Sequence, residues 1–384
     1  RPDGAPPGDG PVGRIVYRAD AATADAVFAC LPGARADGHD FAEAAVARGA
    51  RGLICQRALP IPVAQIVAPD PRLATALAAA ALAGHPSRDL VVAAVTGTNG
   101  KTTTAYLLRA VLEAAGRSCG LIGTVEARVG GRPAAVARTT PESVDMQALL
   151  RDMVDAGDRA CAMEVSSHAL VQRRAAGVDV DVAVFTNLTR DHLDYHGDME
   201  SYYAAKRRLF LRPDGEGANP GAAVNLDDAH GRRLAAETDA IGFGLDARDA
   251  AVLVRDLVPS GTGTGLVIQT PRGRVEVESR LRGRFNASNV AGVVAAGEVL
   301  GLVQEDVVRG IEGVRGVPGR FEAVDEGGPV QVIVDYAHTP DSLENVLRTA
   351  RTLVGGGRVL VVFGCGGDRD RGKRAQMGAA ARAL

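Results

Sequence analysis

The sequence has no surplus of either charge, few cysteines and no long apolar run. Forty-four basic side chains against 46 acidic ones leave a net charge of −2 over 384 residues, so there is no electrostatic case for a nucleic acid as the main partner. No apolar stretch is long and unbroken enough to span a bilayer, and the opening RPDGAPPGDG lacks the apolar centre of a signal peptide. A cytoplasmic protein is the expectation. The five cysteines, Cys30, Cys55, Cys119, Cys161 and Cys365, form no CxxC pair; their odd number suits a reducing compartment and argues against a structural zinc site. They are expected to be buried packing residues. Internal repeats and low-complexity tracts are absent as well.

What is present is enough chain for two or three domains, since a single hydrophobic core stops growing at about 250–300 residues. In residues 1–88 short apolar runs (Ala26 to Leu31, Gly52 to Cys55, Ile66 to Ala68) alternate with alanine-rich helical stretches such as Phe41 to Ala50, which predicts a small α/β domain. Gly84 to Asp89 reads as a hinge. Residues 89–317 alternate strand and helix again, with Asp158 to Glu164, Val180 to Thr186 and Ala222 to Asn225 as continuous apolar runs ending in polar residues, the pattern of buried parallel strands. Residues 318–384 begin a third unit near GVPGRFE. It should hold strands at Val330 to Asp335 and Arg358 to Phe363, separated by a helix from about Asp341 to Leu353.

The most informative stretch is VTGTNGKTTT, residues 95–104. It follows the apolar run Leu90 to Val95 and opens a helical pattern through Leu107, Leu108, Val111 and Leu112, so it reads as strand, tight loop, helix. The loop is two residues shorter than a full Walker A motif, with Gly97 as its first glycine, but the mechanism survives. Backbone N–H groups of Gly97, Thr98, Asn99 and Gly100 can approach phosphate oxygens, Lys101 supplies a point charge, Thr102 can reach a magnesium ion, Thr103 continues the turn, and the helix N-terminus adds its dipole. ATP or a relative is the expected ligand. In parallel sheets the polar residues at carboxyl strand ends line the ligand crevice, and two such ends are rich in candidates. One is EVSSH, with Glu164, Ser166, Ser167 and His168; the other is TNLTRDHLDYHG, with Asn187, Asp191, His192, Asp194 and His196. A carboxylate is a natural ligand for a hard cation, and imidazole a less ready one.

These motifs, with TTPE (139–142), MEVSSHAL (163–170), FTNLTRDHLDYHGDM (185–199), AAKRRLF (204–210), FNASN (285–289), Gly319-Arg320, DYAHTPDSL (335–343) and GCGGDRDRGKR (364–374), occur in the order found in the Mur ligases. The chain resembles that family over nearly its whole length, and within it the branch that adds a diamino acid as third residue of the peptidoglycan stem peptide. The resemblance implies a three-domain α/β fold: a central P-loop domain on a parallel sheet, a small N-terminal α/β domain for the UDP substrate, and a Rossmann-like C-terminal domain for the amino acid, incomplete at Leu384.

It also implies an ATP-driven amide synthesis on UDP-N-acetylmuramoyl-L-alanyl-D-glutamate through an acyl phosphate, with meso-diaminopimelate as the incoming amine and L-lysine as the alternative. Carried over residue by residue, Lys101 meets the β- and γ-phosphates, Thr102 and Glu164 share one magnesium ion, and His192 holds a second, arranged by a carbamylated Lys206. Asn289, Arg320, Asp335 and His338 are implied on the nucleotide. Thr139, Thr140, Ser166, Gln172 and Arg174 are implied on the muramyl dipeptide, and Arg369 on the diamino acid. A monomer is expected.

Three features depart from the family. Arg18, Ala19 and Asp20 stand where Asp-Ser-Arg is usual for docking uridine, followed by ADAVFACLPG, although Ala36 to Phe41 (ADGHDF) fits. A DNPR motif, which would read the diamino acid, does not occur in the sequence, and the first residue is Arg1 rather than methionine. Competing readings are a non-catalytic relative, a folate-type ligase, which would share the glycine loop but lack EVSSHAL and DHLDYHG, and a P-loop hydrolase, for which no water-positioning residue is specified.

Overall fold

The computed structural model describes residues 11–33, 36–135, 138–213, 218–259, 263–324, 330–354, 356–365 and 372–384. The first unit is a four-stranded parallel sheet in the order β1 (Arg14–Val16), β2 (Ala26–Ala29), β3 (Gly52–Cys55), β4 (Ala64–Val67). Phe28, Cys30, Leu53 and Cys55 face one small core, while Ile15, Ala29 and Ile54 face another that is closed by Ala79 of the helix Pro71–Leu82. That helix begins with Pro71 in its first position, and Asp70 accepts the amide of Leu73 at 3.0 Å, two complementary ways of starting a helix. The expected hinge is a single 3-10 turn, Pro86–Asp89. Ser87 Oγ accepts the amide of Asp179 and Arg88 pairs with the Asp179 carboxylate at 3.0 Å.

The second unit is built on an eleven-stranded sheet. Its strands along the chain are β5 (Val91–Thr96), β6 (Cys119–Ile122), β7 (Ala127–Val129), β8 (Arg132–Ala134), β9 (Ala160–Glu164), β10 (Val182–Phe185), β11 (Gly221–Asn225), β12 (Ala240–Gly244), β13 (Val252–Pro259), β14 (Thr264–Thr270) and β15 (Gly273–Ser279). Their spatial order is β15-β14-β13-β12-β11-β10-β5-β9-β6-β7-β8, parallel from β13 to β6 and antiparallel at both margins. β5 shows why the run is uninterrupted in apolar character. Ala93 and Val95 face a core with Leu107, Leu108, Val111 and Leu112 of the helix Lys101–Ala114, whereas Leu90, Val92 and Ala94 face an opposite core with Met146, Leu150, Tyr202 and Phe210. Both faces of the strand are covered, so no position tolerates charge. β9 and β10 flank β5 on opposite sides, which makes the carboxyl ends of these three strands the crevice where the topology reverses.

In the third unit β16 (Glu322–Val324) pairs antiparallel with β17 (Val332–Val334). The helices Pro340–Val354 and Lys373–Ala383 pack through Leu343, Leu347 and Met377. The expected helix is there, but Arg358 to Phe363 forms no strand. Leu360 is 77% exposed and Val362 fully so, and no described segment pairs with the run; apolar sequence alone does not make a strand without a hydrogen-bonding neighbour. Of the cysteines, Cys30, Cys55, Cys119 and Cys161 are buried, while Cys365 is only partly so. None of the helices among the described residues is long and apolar enough to cross a membrane.

Candidate active site

The loop after β5 is shaped by two glycines. Gly97 (φ +154°) and Gly100 (φ +87°) are both places where a side chain has no room: a Cβ on Gly97 would lie 1.8 Å from Thr186 Oγ1, and one on Gly100 would lie 2.4 Å from Asn289 Oδ1. The strand end of β10 holds the loop between them. The Thr98 amide donates to the Asn187 carbonyl and the Asn99 amide to Asn187 Oδ1, each at 2.9 Å, while Thr186 Oγ1 donates to the Asn99 carbonyl at 2.6 Å. Lys101 starts the helix Lys101–Ala114 and folds its amine back onto the Gly97 and Thr98 carbonyls at 3.0 Å. Thr102, buried in the first turn, accepts from Arg320 Nη2 at 2.8 Å.

Next to the loop, Glu164 ends β9 with its carboxylate buried. Its oxygens accept from the Thr124 amide at 2.7 Å and the Thr124 hydroxyl at 2.9 Å, so the loop after β6 orients it. Lys206, in the last turn of the helix Met199–Arg207, is 1% exposed and donates to the Gly97 carbonyl at 2.7 Å. Burial, and then the nearby charge of Lys101, push its pKa well below the ordinary lysine value. Burial likewise lowers that of Lys101, with Arg320 adding to it against the pull of Glu164.

On the β10 side His192 sits at φ +53° with Nε2 3.3 Å from Asp191 Oδ2. Its ring packs edge-on to His168 at 4.8 Å between centroids, and His196 Nε2 lies 2.9 Å from Ser167 Oγ. Burial lowers both His192 and His196 to about 4, so both are neutral imidazoles at pH 7. Asp191 also faces His338 Nε2 of the third unit at 3.7 Å. Burial opposes its charge, but the hydrogen bond with His338 and the nearness of His192 outweigh that and hold it well below the usual carboxylate range.

A cleft of about 1040 Å³ joins these groups. Its walls carry Thr98, Asn99, Gly100, Lys101, Thr102 and Thr103 from the loop, and Glu164, His192, Thr139 and Ser166 from the strand ends. Asn289 comes from the helix Arg284–Val299, and Arg320, Asp335 and His338 from the third unit. Arg320 lies over the Tyr336 ring at 5.0 Å, and Asp335 accepts the amides of Phe321 and Ala337 at 2.7 Å. Such a volume is at the top of the ~300–1,000 Å³ usual for small-molecule sites.

Other expected residues stand behind the wall. Gly97 and Lys206 support the loop from beneath. Thr140 accepts the Ser166 amide and donates to the Glu164 carbonyl at 3.0 Å. Arg174 donates to the Thr140 carbonyl at 3.2 Å, reaches Gln172, and pairs at 3.0 Å with Glu142, which also binds Arg72 and Arg138. Arg369 lies outside the described residues. Thr124 and Asp191 are the functional candidates that motif reading left without a role; both follow the ends of parallel strands, which is the signal that could have found them.

The oxygen donors Thr102 and Glu164 fit a hard divalent cation that keeps phosphate oxygens and waters as its remaining ligands. Among the described residues no three His, Cys, Asp or Glu side chains converge into a closed cage.

Models of the Mur ligase family match the chain in three parts. The "Mur ligase family, catalytic domain" matches residues 14–93, the "Mur ligase middle domain" residues 95–297 and the "Mur ligase, glutamate ligase domain" residues 319–384. The protein named UDP-N-acetylmuramoyl-L-alanyl-D-glutamate--2,6-diaminopimelate ligase in Geobacter sulfurreducens is 48% identical over 91% of this chain and 70% of its own length. The protein of that name in Solibacter usitatus is 46% identical over 96% and 74%. A solved structure of a ligase so named superimposes with a TM-score of 0.75 at 32% identity, covering 97% of this chain and 77% of that one.

Proposed function

The chain belongs to the Mur ligase family, and we propose that it joins meso-diaminopimelate to UDP-N-acetylmuramoyl-L-alanyl-D-glutamate at the expense of ATP, in peptidoglycan precursor synthesis. The relatives that carry this name support the choice of substrates. The observation that carries the chemistry is the single cleft in which the phosphate loop at Gly97–Lys101, the Glu164 carboxylate and the Arg320–Asp335–His338 group of the third unit face one another. We read residues 1–88, 89–317 and 318–384 as the units for the UDP substrate, the nucleotide and the amino acid.

A carboxylate is a poor electrophile and repels a triphosphate, so the reaction needs cations between the anions and water kept away while the activated acyl group waits. The Thr98 and Asn99 amides are donated to Asn187, so in our reading the backbone amides from Gly100 into the first turn of the helix and the Lys101 ammonium hold the β- and γ-phosphates, and Arg320 neutralises the same end from the third unit. Asp335, with burial raising its pKa, and Asn289 set the nucleotide's other end. A D-glutamate side-chain oxygen attacks the γ-phosphorus, the bond to ADP breaks, and an acyl phosphate results. Attack by the free amine on the carbonyl carbon then forms the amide; the amine gives up a proton and phosphate leaves. Holding amine and acyl group in register contributes on the order of 7–11 kcal/mol of the barrier. Thr139 and Ser166 line the end of the cleft assigned to the muramyl dipeptide, and Thr140, Gln172 and Arg174 position them from behind.

Magnesium is part of this reading: Thr102 and Glu164 would hold one ion and His192 a second, and bound there the ions would offset charge on the transferring phosphoryl group. The depressed pKa of Lys206 suits carbamylation, in which the neutral amine attacks carbon dioxide, an N–C bond forms and a proton leaves.

The test is product formation from ATP, Mg²⁺ and the UDP-muramyl dipeptide with meso-diaminopimelate, with L-lysine and with no amine, read by mass. The diaminopimelate adduct alone supports the proposal. A lysine adduct reassigns the amine, and phosphate release without any amine adduct contradicts ligation.

A further inference from the structure

The phosphate loop is gripped from within its own unit by Thr186 and Asn187, and its Asn99 side chain is held from outside that unit. Asn99 Nδ2 donates to Asp341 Oδ2 at 2.8 Å across 242 positions of sequence. Asp341 opens the helix Pro340–Val354, whose start is fixed by Thr339 and Ser342: the Thr339 amide donates to Ser342 Oγ at 3.0 Å and the Ser342 amide to Thr339 Oγ1 at 3.2 Å. Leu343 and Leu347 pin the helix to Met377. Asp341 therefore moves only with the third unit.

The same Asn99 offers its amide N–H to Asn187 Oδ1 and its carbonyl to Thr186 Oγ1. Its backbone is thus tied to β10 while its side chain is tied to the third unit. Two further contacts cross the same boundary, Arg320 to Thr102 and His338 to Asp191, but both start from residues that the nucleotide reading already employs. Asp341 is different: it has no part in the nucleotide reading, and its carboxylate is engaged by a side chain of the phosphate loop itself.

We propose that Asp341 is a positioning residue that clamps Asn99, so that the phosphate loop takes its working shape only while the third unit is docked. The proposal rests on the reading of the loop as the triphosphate site. Its consequence is that phosphoryl transfer is tied to the presence of the unit that presents the amine, which keeps the acyl phosphate from forming in an open cleft where water would destroy it.

The experiment compares the full chain with Asp341→Ala, Asp341→Asn, Asn99→Ala and the Asn99→Ala/Asp341→Ala pair, measuring kcat and KM for ATP and the dipeptide, melting temperature, and binding of a non-hydrolysable ATP analogue. Asparagine at 341 keeps an oxygen acceptor for Asn99, so Asp341→Asn stays within about threefold of the parent kcat. Asp341→Ala and Asn99→Ala each lose on the order of tenfold in kcat, the scale of one hydrogen bond to a charged group, with an unchanged dipeptide KM. The pair loses no more than either alone, as coupled residues do. Losses that multiply in the pair, or an Asp341→Asn as poor as Asp341→Ala, overturn the proposal. Should Asp341→Ala fail to fold, Asn99→Ala against Asp341→Asn decides alone: a parent-like Asn99→Ala overturns the proposal. A parent chain that binds no ATP analogue defeats the reading of the loop itself, an outcome distinct from additive losses in a chain that does bind it.

Discussion

Lys206 Nζ donates a hydrogen bond of 2.7 Å to the carbonyl oxygen of Gly97, joining the last turn of the helix Met199–Arg207 to the first glycine of the phosphate loop. An amine with 1% exposure and a cationic neighbour in Lys101 is held there against the cost of desolvating its charge. Replacing Lys206 with alanine is expected to lower kcat by on the order of 10²-fold, the scale of losing one preorganised electrostatic group, while circular dichroism remains that of the parent. Carbamylation adds a second expectation: activity of the parent chain falls in carbon dioxide-depleted buffer and returns with bicarbonate.

Glu164 is oriented by both the amide and the hydroxyl of Thr124. Glu164→Gln retains the shape and removes the charge, so kcat is expected to fall on the order of 10²-fold and the magnesium concentration for half-maximal rate to rise. Thr124→Val, which leaves the charge but frees one oxygen, should give a smaller loss of the same kind. Magnesium titrations of both variants check the order.

Gly100 stands at φ +87° against Asn289. Gly100→Ala is expected to cost about 1–2 kcal/mol from the left-handed backbone alone, and more from the collision with Asn289 Oδ1. Thermal denaturation of Gly100→Ala beside Gly100→Ala/Asn289→Ser separates the two: the second change should recover the collision and leave the backbone strain.

How much of this was legible in the sequence follows from how local each feature is. The strand, loop and helix around Lys101 could be read because glycine spacing, apolar run and helical period all lie within twenty-odd residues. Lys206 could not be told from its neighbours in AAKRRL without the family resemblance, since sequence does not say which basic side chain turns inward; in the structure Arg207 goes to Glu237 and Lys206 to the core. Arg358 to Phe363 has the composition of a strand and none of the pairing, because pairing is a property of a neighbour. The Asn99–Asp341 bond joins positions 242 apart, a separation no motif spans. Arg174, expected on the substrate, donates to Thr140 and Gln172 and pairs with Glu142, partners that charge and planarity alone did not reveal.

The imidazoles set an acid limit. The folded-state pKa values of His192 and His196, about 4, lie below the ordinary value of 6.5, so as pH falls from about 6.5 to 4 the unfolded chain takes up protons that the folded chain does not, and stability falls across that window. Above pH 6.5 neither group contributes a slope. Urea midpoints of the parent at pH 7.5 and pH 5 should therefore differ by more than those of His196→Gln. Equal differences would contradict the assignment of neutral, buried rings.

In the proposed reaction the carboxylate is activated by phosphoryl transfer before the amine attacks. Oxygen-18 placed in the D-glutamate side-chain carboxylate of the UDP-muramyl dipeptide tests it most directly, with turnover run in the presence of ATP, Mg²⁺ and meso-diaminopimelate and the released phosphate analysed by mass. One labelled oxygen is expected in each phosphate formed, because the oxygen that attacks the γ-phosphorus leaves with it. Unlabelled phosphate, with ATP consumed, would mean that water took the phosphoryl group and that no acyl phosphate was made.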